Sequence, residues 1–101
     1  MVRHIVMFEF LDEAEGKSKR ENAEIAKQML ERLVGLVPSL LSVEVKLNSP
    51  KADQANFDLV LITQHTDFEG LKAYATHPEH VKVGQFIGSV KKSRACVDFE
   101  F

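Results

Sequence analysis

FDLVLITQHTDFEGLKAYATHPEHV, residues 57–81, holds a strand, a helix start and a helix break in succession. From Phe57 to about Gln64, Leu59 and Leu61 alternate with Val60 and Ile62, so the strand is apolar on both faces. Thr66 to Glu69 (TDFE) has the form of a capping box, in which a short polar side chain and an acidic one three residues on satisfy free backbone N–H groups. The helix expected from there carries Phe68, Leu71, Tyr74 and Ala75 on one face. His77-Pro78 interrupts it, because the residue before a proline is pushed out of the helical region. Pro78 suits the first turn of a new helix, where its missing N–H is no loss, and Val83, Phe86, Ile87 and Val90 continue that helix on one face.

The flanking sequence supplies the remaining elements. Residues 2–11 alternate as a strand, with Val2, His4, Val6, Phe8 and Phe10 on one side and Arg3, Ile5, Met7, Glu9 and Leu11 on the other. A polar turn, DEAEGKSK, leads to a helix from about Lys19 to Leu36, which Pro38 ends. Residues 41–48 (LSVEVKLN) alternate as a half-buried strand, joined through the polar loop SPKADQAN to the strand at 57–64. The last strand is expected over Arg94–Phe101. The order β-α-β-β-α-β, with the second helix broken in two, is the plan of a ferredoxin-like α+β sandwich with an antiparallel sheet, its first and third strands central. One domain over residues 1–101 is expected, since no linker, repeat or low-complexity segment divides the chain.

The first and third strands are apolar on both sides, although helices cover one face of such a sheet. Leaving the second face in water would expose a large apolar patch, and burying each such side chain is worth roughly 1.5–3 kcal/mol. A homodimer through the sheet face is therefore expected.

Composition narrows the partners. A net charge of −2 offers no electrostatic footprint for nucleic acid or an anionic membrane. FDLVLITQ lacks the basic and aromatic residues that an RNA-recognition sheet stacks on bases. No apolar run is long enough to span a membrane, and MVRHIVMFEF lacks the apolar core of a signal peptide. Cys96 is the single cysteine, which excludes an internal disulfide and a Cys-x-x-Cys metallochaperone motif and favours a cytoplasmic setting. The scattered glycines form no phosphate loop, so no cofactor is expected.

VRHIVMFEF at the start, the 57–81 stretch and VDFEF at the end resemble the stress-responsive dimeric α/β-barrel (Dabb) domain family, most specifically at Tyr74-x-x-His77-Pro78-x-His80. The resemblance spans essentially the whole chain and implies a ferredoxin-like protomer whose sheet joins a second one to form a dimeric α/β barrel. It implies little chemistry, because most members have no assigned reaction, and a protein of stress-response or accessory type without catalysis of its own is the expected function. One branch, typified by olivetolic acid cyclase, is a cofactor-independent polyketide cyclase. Its reactive tyrosine and histidine fall on Tyr74 and His80, and a supporting histidine on His4. Where that cyclase has another histidine in its third strand, this chain has Leu59.

Tyr74 and His80 flank the break, so a bend at Pro78 could turn both toward one cavity beneath the sheet, with His4 reaching it from the first strand. A histidine accepts a proton near neutral pH and a phenol donates to a developing enolate, which suits proton transfer on a small carbonyl compound. A packing role, with Tyr74 satisfied in the core and His80 tying the broken helix to nearby backbone, is the simpler account of the same residues. Carriage of an apolar ligand without conversion is the third reading. His77 and His80 with His4 or Glu79 could surround a zinc ion, but the spacing matches no ligand motif and no metal is expected. His65, at a strand end, is expected in solvent, and Cys96 as a buried filler.

Overall fold

Strict alternation of burial along Val2–Phe10 makes this first strand, β1, the backbone of the core: Val2, His4, Val6, Phe8 and Phe10 are buried and the residues between them are not. The structure, a computed structural model, describes residues 1–101. After β1 come β2 (Glu13–Ala14), β3 (Lys17–Ser18), α1 (Lys19–Glu31), β4 (Ser42–Leu47), β5 (Leu59–His65), α2 (Phe68–Thr76), α3 (Pro78–Val90) and β6 (Lys91–Glu100). The four long strands form an antiparallel sheet in the order β4-β5-β1-β6, with the first and third long strands central as expected of the ferredoxin-like plan. The helices lie on one face and enclose a core that includes Val6, Phe10, Leu30, Leu59, Ile87 and Val90.

Several boundaries differ from the sequence reading, each for a local reason. The polar turn is a tight hairpin, β2–β3, whose central residues Glu15 and Gly16 both have positive φ. Ser18 then caps α1 through a reciprocal capping box with Glu21. α1 stops at Glu31 rather than Leu36: the chain tightens, with Leu33 N–H donating to Leu30 O, and Gly35 takes a left-handed φ of 87°. Leu33 and Val37 remain in the core because the turns beyond the helix keep them over the sheet. The cap of α2 is Asp67, whose side chain accepts from Gly70 N–H, and not Thr66. β6 begins at Lys91, directly after α3, with a register shift opposite Glu9 and Phe10.

The sheet register fixes which side chains lie on the uncovered face. Ile5 stands opposite Ile62 and Val97, Met7 opposite Val60 and Ala95, and Arg3 opposite Phe99. Met7, Val97, Phe99 and Phe101 are exposed, which is the apolar face anticipated from the two-sided strands.

Two glycines separate backbone from packing. A Cβ at Gly35 or at Gly88 would meet no atom within 4 Å, yet only Gly35 has a left-handed φ. Gly35→Ala should therefore destabilise the fold by about 1–2 kcal/mol. Gly88→Ala, in the interior of α3, should stabilise it by about 0.5–1 kcal/mol. Denaturant titration at fixed protein concentration reads both signs.

Candidate functional site

The break between α2 and α3 is held by one residue used twice. His77 closes α2, with its N–H donating to Tyr74 O, and opens α3, with its Nδ1 accepting from Glu79 N–H at 3.1 Å. Pro78 occupies the first helical position, where a missing N–H costs nothing. Tyr74 stands just before the break and His80 just after it, and their ring centroids are 4.4 Å apart. Both line a cavity of about 300 Å³ between the sheet and the two helices. Its walls are mainly apolar, through Val6, Phe8, Leu61, Leu71, Val83 and Ile87, while His4, Asp98, Lys91 and Arg94 supply the remaining polar groups. The sequence-predicted Tyr74, His80 and His4 thus share one cavity.

The hydrogen-bonding states of these groups differ. Tyr74 is 1% exposed and its hydroxyl has no hydrogen-bond partner. Burial raises its phenol well above the ordinary value, so the group stays protonated and remains a donor. His80 Nδ1–H donates to Ala75 O at 3.0 Å, which leaves the lone pair on Nε2 of the neutral ring. Desolvation lowers the His80 pKa, with the His4 and Arg94 charges adding to it and the Ala75 carbonyl opposing it. His80 is therefore a neutral imidazole near pH 7, with one nitrogen tied to backbone and one available as a base.

His4 is directly opposite Asp98 across the β1–β6 pair, and its Nδ1–H donates to Asp98 Oδ1 at 2.5 Å. That carboxylate orients the imidazole against Tyr74, whose ring lies 6.4 Å away edge-on. Cys96 follows on the same face. It is exposed at the sheet edge rather than buried as expected, because β6 is an outer strand that no helix covers there. Its Sγ lies 3.6 Å from both His4 Nδ1 and Asp98 Oδ1. Since the same imidazole nitrogen faces both partners, the three do not form a nucleophile–base–carboxylate relay. Desolvation and the neighbouring Asp98 push the thiol pKa up, which also disfavours a thiolate nucleophile.

His65 corrects the sequence reading. Expected in solvent, it is fully buried because it continues the helix-facing phase of Leu59, Leu61 and Thr63 to the end of β5. Its Nδ1–H donates to Ser39 O at 2.8 Å and its Nε2 accepts from Thr63 Oγ1 at 2.9 Å. With both nitrogens satisfied, and its ring 5.0 Å from Tyr74, it forms a structural floor beneath the tyrosine. The grouping of His77 and His80 with His4 or Glu79 is not among the clusters of metal-ligating side chains that the structure assembles. The cluster of metal-ligating side chains that does assemble is His4, Cys96 and Asp98.

The Stress Responsive A/B Barrel Domain family model matches residues 2–101. No curated protein matches the chain. Among solved structures, a dimeric protein of unknown function with a ferredoxin-like fold from Bacteroides fragilis is 34% identical, with a TM-score of 0.86, over 99% of this chain and 95% of its own. A dimeric ferredoxin-like protein of unknown function from Thermobifida fusca has a TM-score of 0.82 at 23% identity, over 99% of this chain and 90% of its own. A hydroxynitrile lyase from Passiflora edulis has a TM-score of 0.75 at 10% identity, over 97% of this chain and 90% of its own. The last two likenesses are ones of fold alone.

Burial of the histidines has a consequence for stability. Desolvation lowers the pKa of both His65 and His80 from 6.5 in the folded chain. Below that value the unfolded chain binds more protons than the folded one, so stability rises with pH across the window and is lost as pH falls below about 6.5. The melting temperature should be level above about pH 7 and should drop on acidification from about pH 6.5 toward 5. His80→Asn should make that drop shallower.

Proposed function

We propose that this chain, which belongs to the stress responsive A/B barrel domain family, works as a homodimer that binds a small, mainly apolar carbonyl compound beneath its sheet and moves a proton on it. The observation that carries the reading is the Tyr74 hydroxyl, buried without a partner beside a histidine that keeps one nitrogen free. An unpaired buried hydroxyl costs about 1–3 kcal/mol. A ligand oxygen that accepted from it would remove that cost, and apolar walls would hold the rest of the molecule.

In the proposed step, His80 Nε2 takes a proton from the carbon beside the carbonyl. Tyr74 donates its hydrogen bond to the carbonyl oxygen as negative charge develops there. The same proton can return to a different atom of the enolate, as in isomerisation, or the enolate carbon can attack a second carbonyl, as in ring closure. The Asp98-oriented His4 supports the tyrosine from the first strand. An accessory protein without catalysis is the second reading, favoured by the His80 bond to Ala75, which ties α3 to the end of α2 whether or not a ligand binds.

Dimerisation in this proposal covers the uncovered sheet face. Its support is the contiguous apolar set of Ile5, Met7, Val60, Ile62, Val97 and Phe99, together with the dimeric description of the 34%-identical relative. Val60 stands opposite Met7 on that face. Val60→Asp would bury an unpaired charge in the interface, and sedimentation should show monomer or insoluble protein where the parent is a dimer. A parent that sediments as a folded monomer at micromolar concentration would end the homodimer reading.

Exchange of carbon-bound protons for deuterium in acetylacetone, followed by NMR, tests the chemistry with a minimal carbonyl probe. His80→Ala should slow catalysed exchange by roughly 10²–10⁴-fold. Tyr74→Phe should also slow it while melting at or above the parent temperature, since it deletes a buried hydroxyl that no protein group pairs. Exchange no faster than in buffer, with no bound probe detectable by NMR, would leave the accessory reading.

A further inference from the structure

We propose that His4, Cys96 and Asp98 form a binding site for a borderline divalent cation, zinc by its ligand chemistry, at the β1–β6 edge of the sheet. The site goes beyond the proton-transfer reading and uses neither Tyr74 nor His80. Its assembly follows from strand register: His4 and Asp98 are opposed across antiparallel strands, and Cys96, two residues from Asp98, projects from the same face. The three ligand atoms, His4 Nδ1, Cys96 Sγ and Asp98 Oδ1, lie within 4.8 Å of one another.

The spacing suits a tetrahedral ion. Zinc bonds of about 2.3 Å to sulfur and about 2.0–2.1 Å to nitrogen or oxygen give S···N and S···O edges of roughly 3.6 Å. Both sulfur distances are 3.6 Å. The His4–Asp98 edge is a 2.5 Å hydrogen bond. An ion bound by both atoms requires an edge of roughly 3.3 Å. Asp98 can yield this distance, since its side chain is 33% exposed on an outer strand, whereas His4 is held in the sheet interior. On binding, Nδ1 gives up its proton to make way for the ion, the ring keeps a proton on Nε2, and the thiol proton leaves to solvent, so one thiolate and one carboxylate balance the charge of the ion. Nitrogen and sulfur donors disfavour magnesium and calcium, which take oxygen shells. Three protein ligands leave a fourth position for water or a small ligand, and His4 and Asp98 already line the cavity.

Cobalt(II) titration of the full-length, tag-free, chelator-treated protein tests the site. The expected result is one ion per chain with a thiolate-to-cobalt charge-transfer band that zinc displaces. Cys96→Ser should abolish the band and weaken zinc binding by at least about tenfold. Asp98→Asn, which keeps the thiol, should weaken cobalt binding to a similar extent, while His80→Ala should leave the band in place. Absence of the band in the parent, or zinc affinity equal to the parent in both Cys96→Ser and Asp98→Asn, would overturn the proposal. Circular dichroism of each variant separates loss of the site from loss of the fold, so a folded Asp98→Asn protein still decides the matter if Cys96→Ser aggregates.

Discussion

β1 carries large apolar side chains on both faces, and the rest of the molecule is arranged around that constraint. One phase of the strand, Val2 through Phe10, is covered by the helices, and the other carries Ile5 and Met7 into the open. Antiparallel register propagates both phases to the neighbours, so β5 offers Leu59, Leu61 and Thr63 to the core and Val60 and Ile62 to the far side. Two helical segments and α1 can cover only one face of a four-stranded sheet. Covering the other face with a second layer of protein would bury apolar area worth roughly 25 cal/mol per Å². The same alternation puts His4 into the covered phase, in register with Asp98, which is how a polar group comes to sit between the core and the sheet edge.

The helix break does the corresponding work on the other layer. In an unbroken helix, residues 74 and 80 would project roughly 120° apart around the axis, at about 100° per residue. Pro78 prevents a continuous ladder, and His77 adopts an extended conformation with ψ of 135°. α3 therefore leaves in a new direction, which brings the His80 ring to 4.4 Å from Tyr74. Fixing the hinge by a cap on each side makes this placement a property of the backbone. The two side chains need no bond to each other to stay adjacent.

The fold was legible because its signals are local. Alternation, capping residues and the His77-Pro78 break each occupy fewer than a dozen consecutive residues, and the order of elements follows from them. Boundaries slipped where a local competitor acted: Gly35 unwound the end of α1 five residues early, and Asp67 took the cap from Thr66. The site was legible in part, since Tyr74 and His80 flank a visible break. His65 and Cys96 were misjudged for opposite reasons. A polar residue at a strand end reads as solvated, yet the phase set by Leu59 and Leu61 was available to place His65 inside. Cys96 belongs to an apolar-looking run, and its exposure depends on β6 being an outer strand, which is settled only by pairing over more than ninety residues. The His4–Cys96–Asp98 cluster was invisible for the same reason.

Hydrogen bonding sorts the three aromatic polar groups that line the cavity, and the His65 ring beneath them, into different kinds of work. His65 has a partner on each nitrogen and serves as structure. His80 and His4 each use Nδ1 on a protein acceptor and have no protein hydrogen-bond partner at Nε2. Tyr74 uses nothing, although it is among the most buried side chains in the chain. A phenylalanine would fill almost the same volume without an unpaired hydroxyl, so packing alone supplies no use for that oxygen. The residues with unmet hydrogen bonds line one mainly apolar cavity, and the groups around them that are satisfied hold them in position. That asymmetry, more than the identity of any one residue, is the physical case for a ligand whose oxygen completes the site.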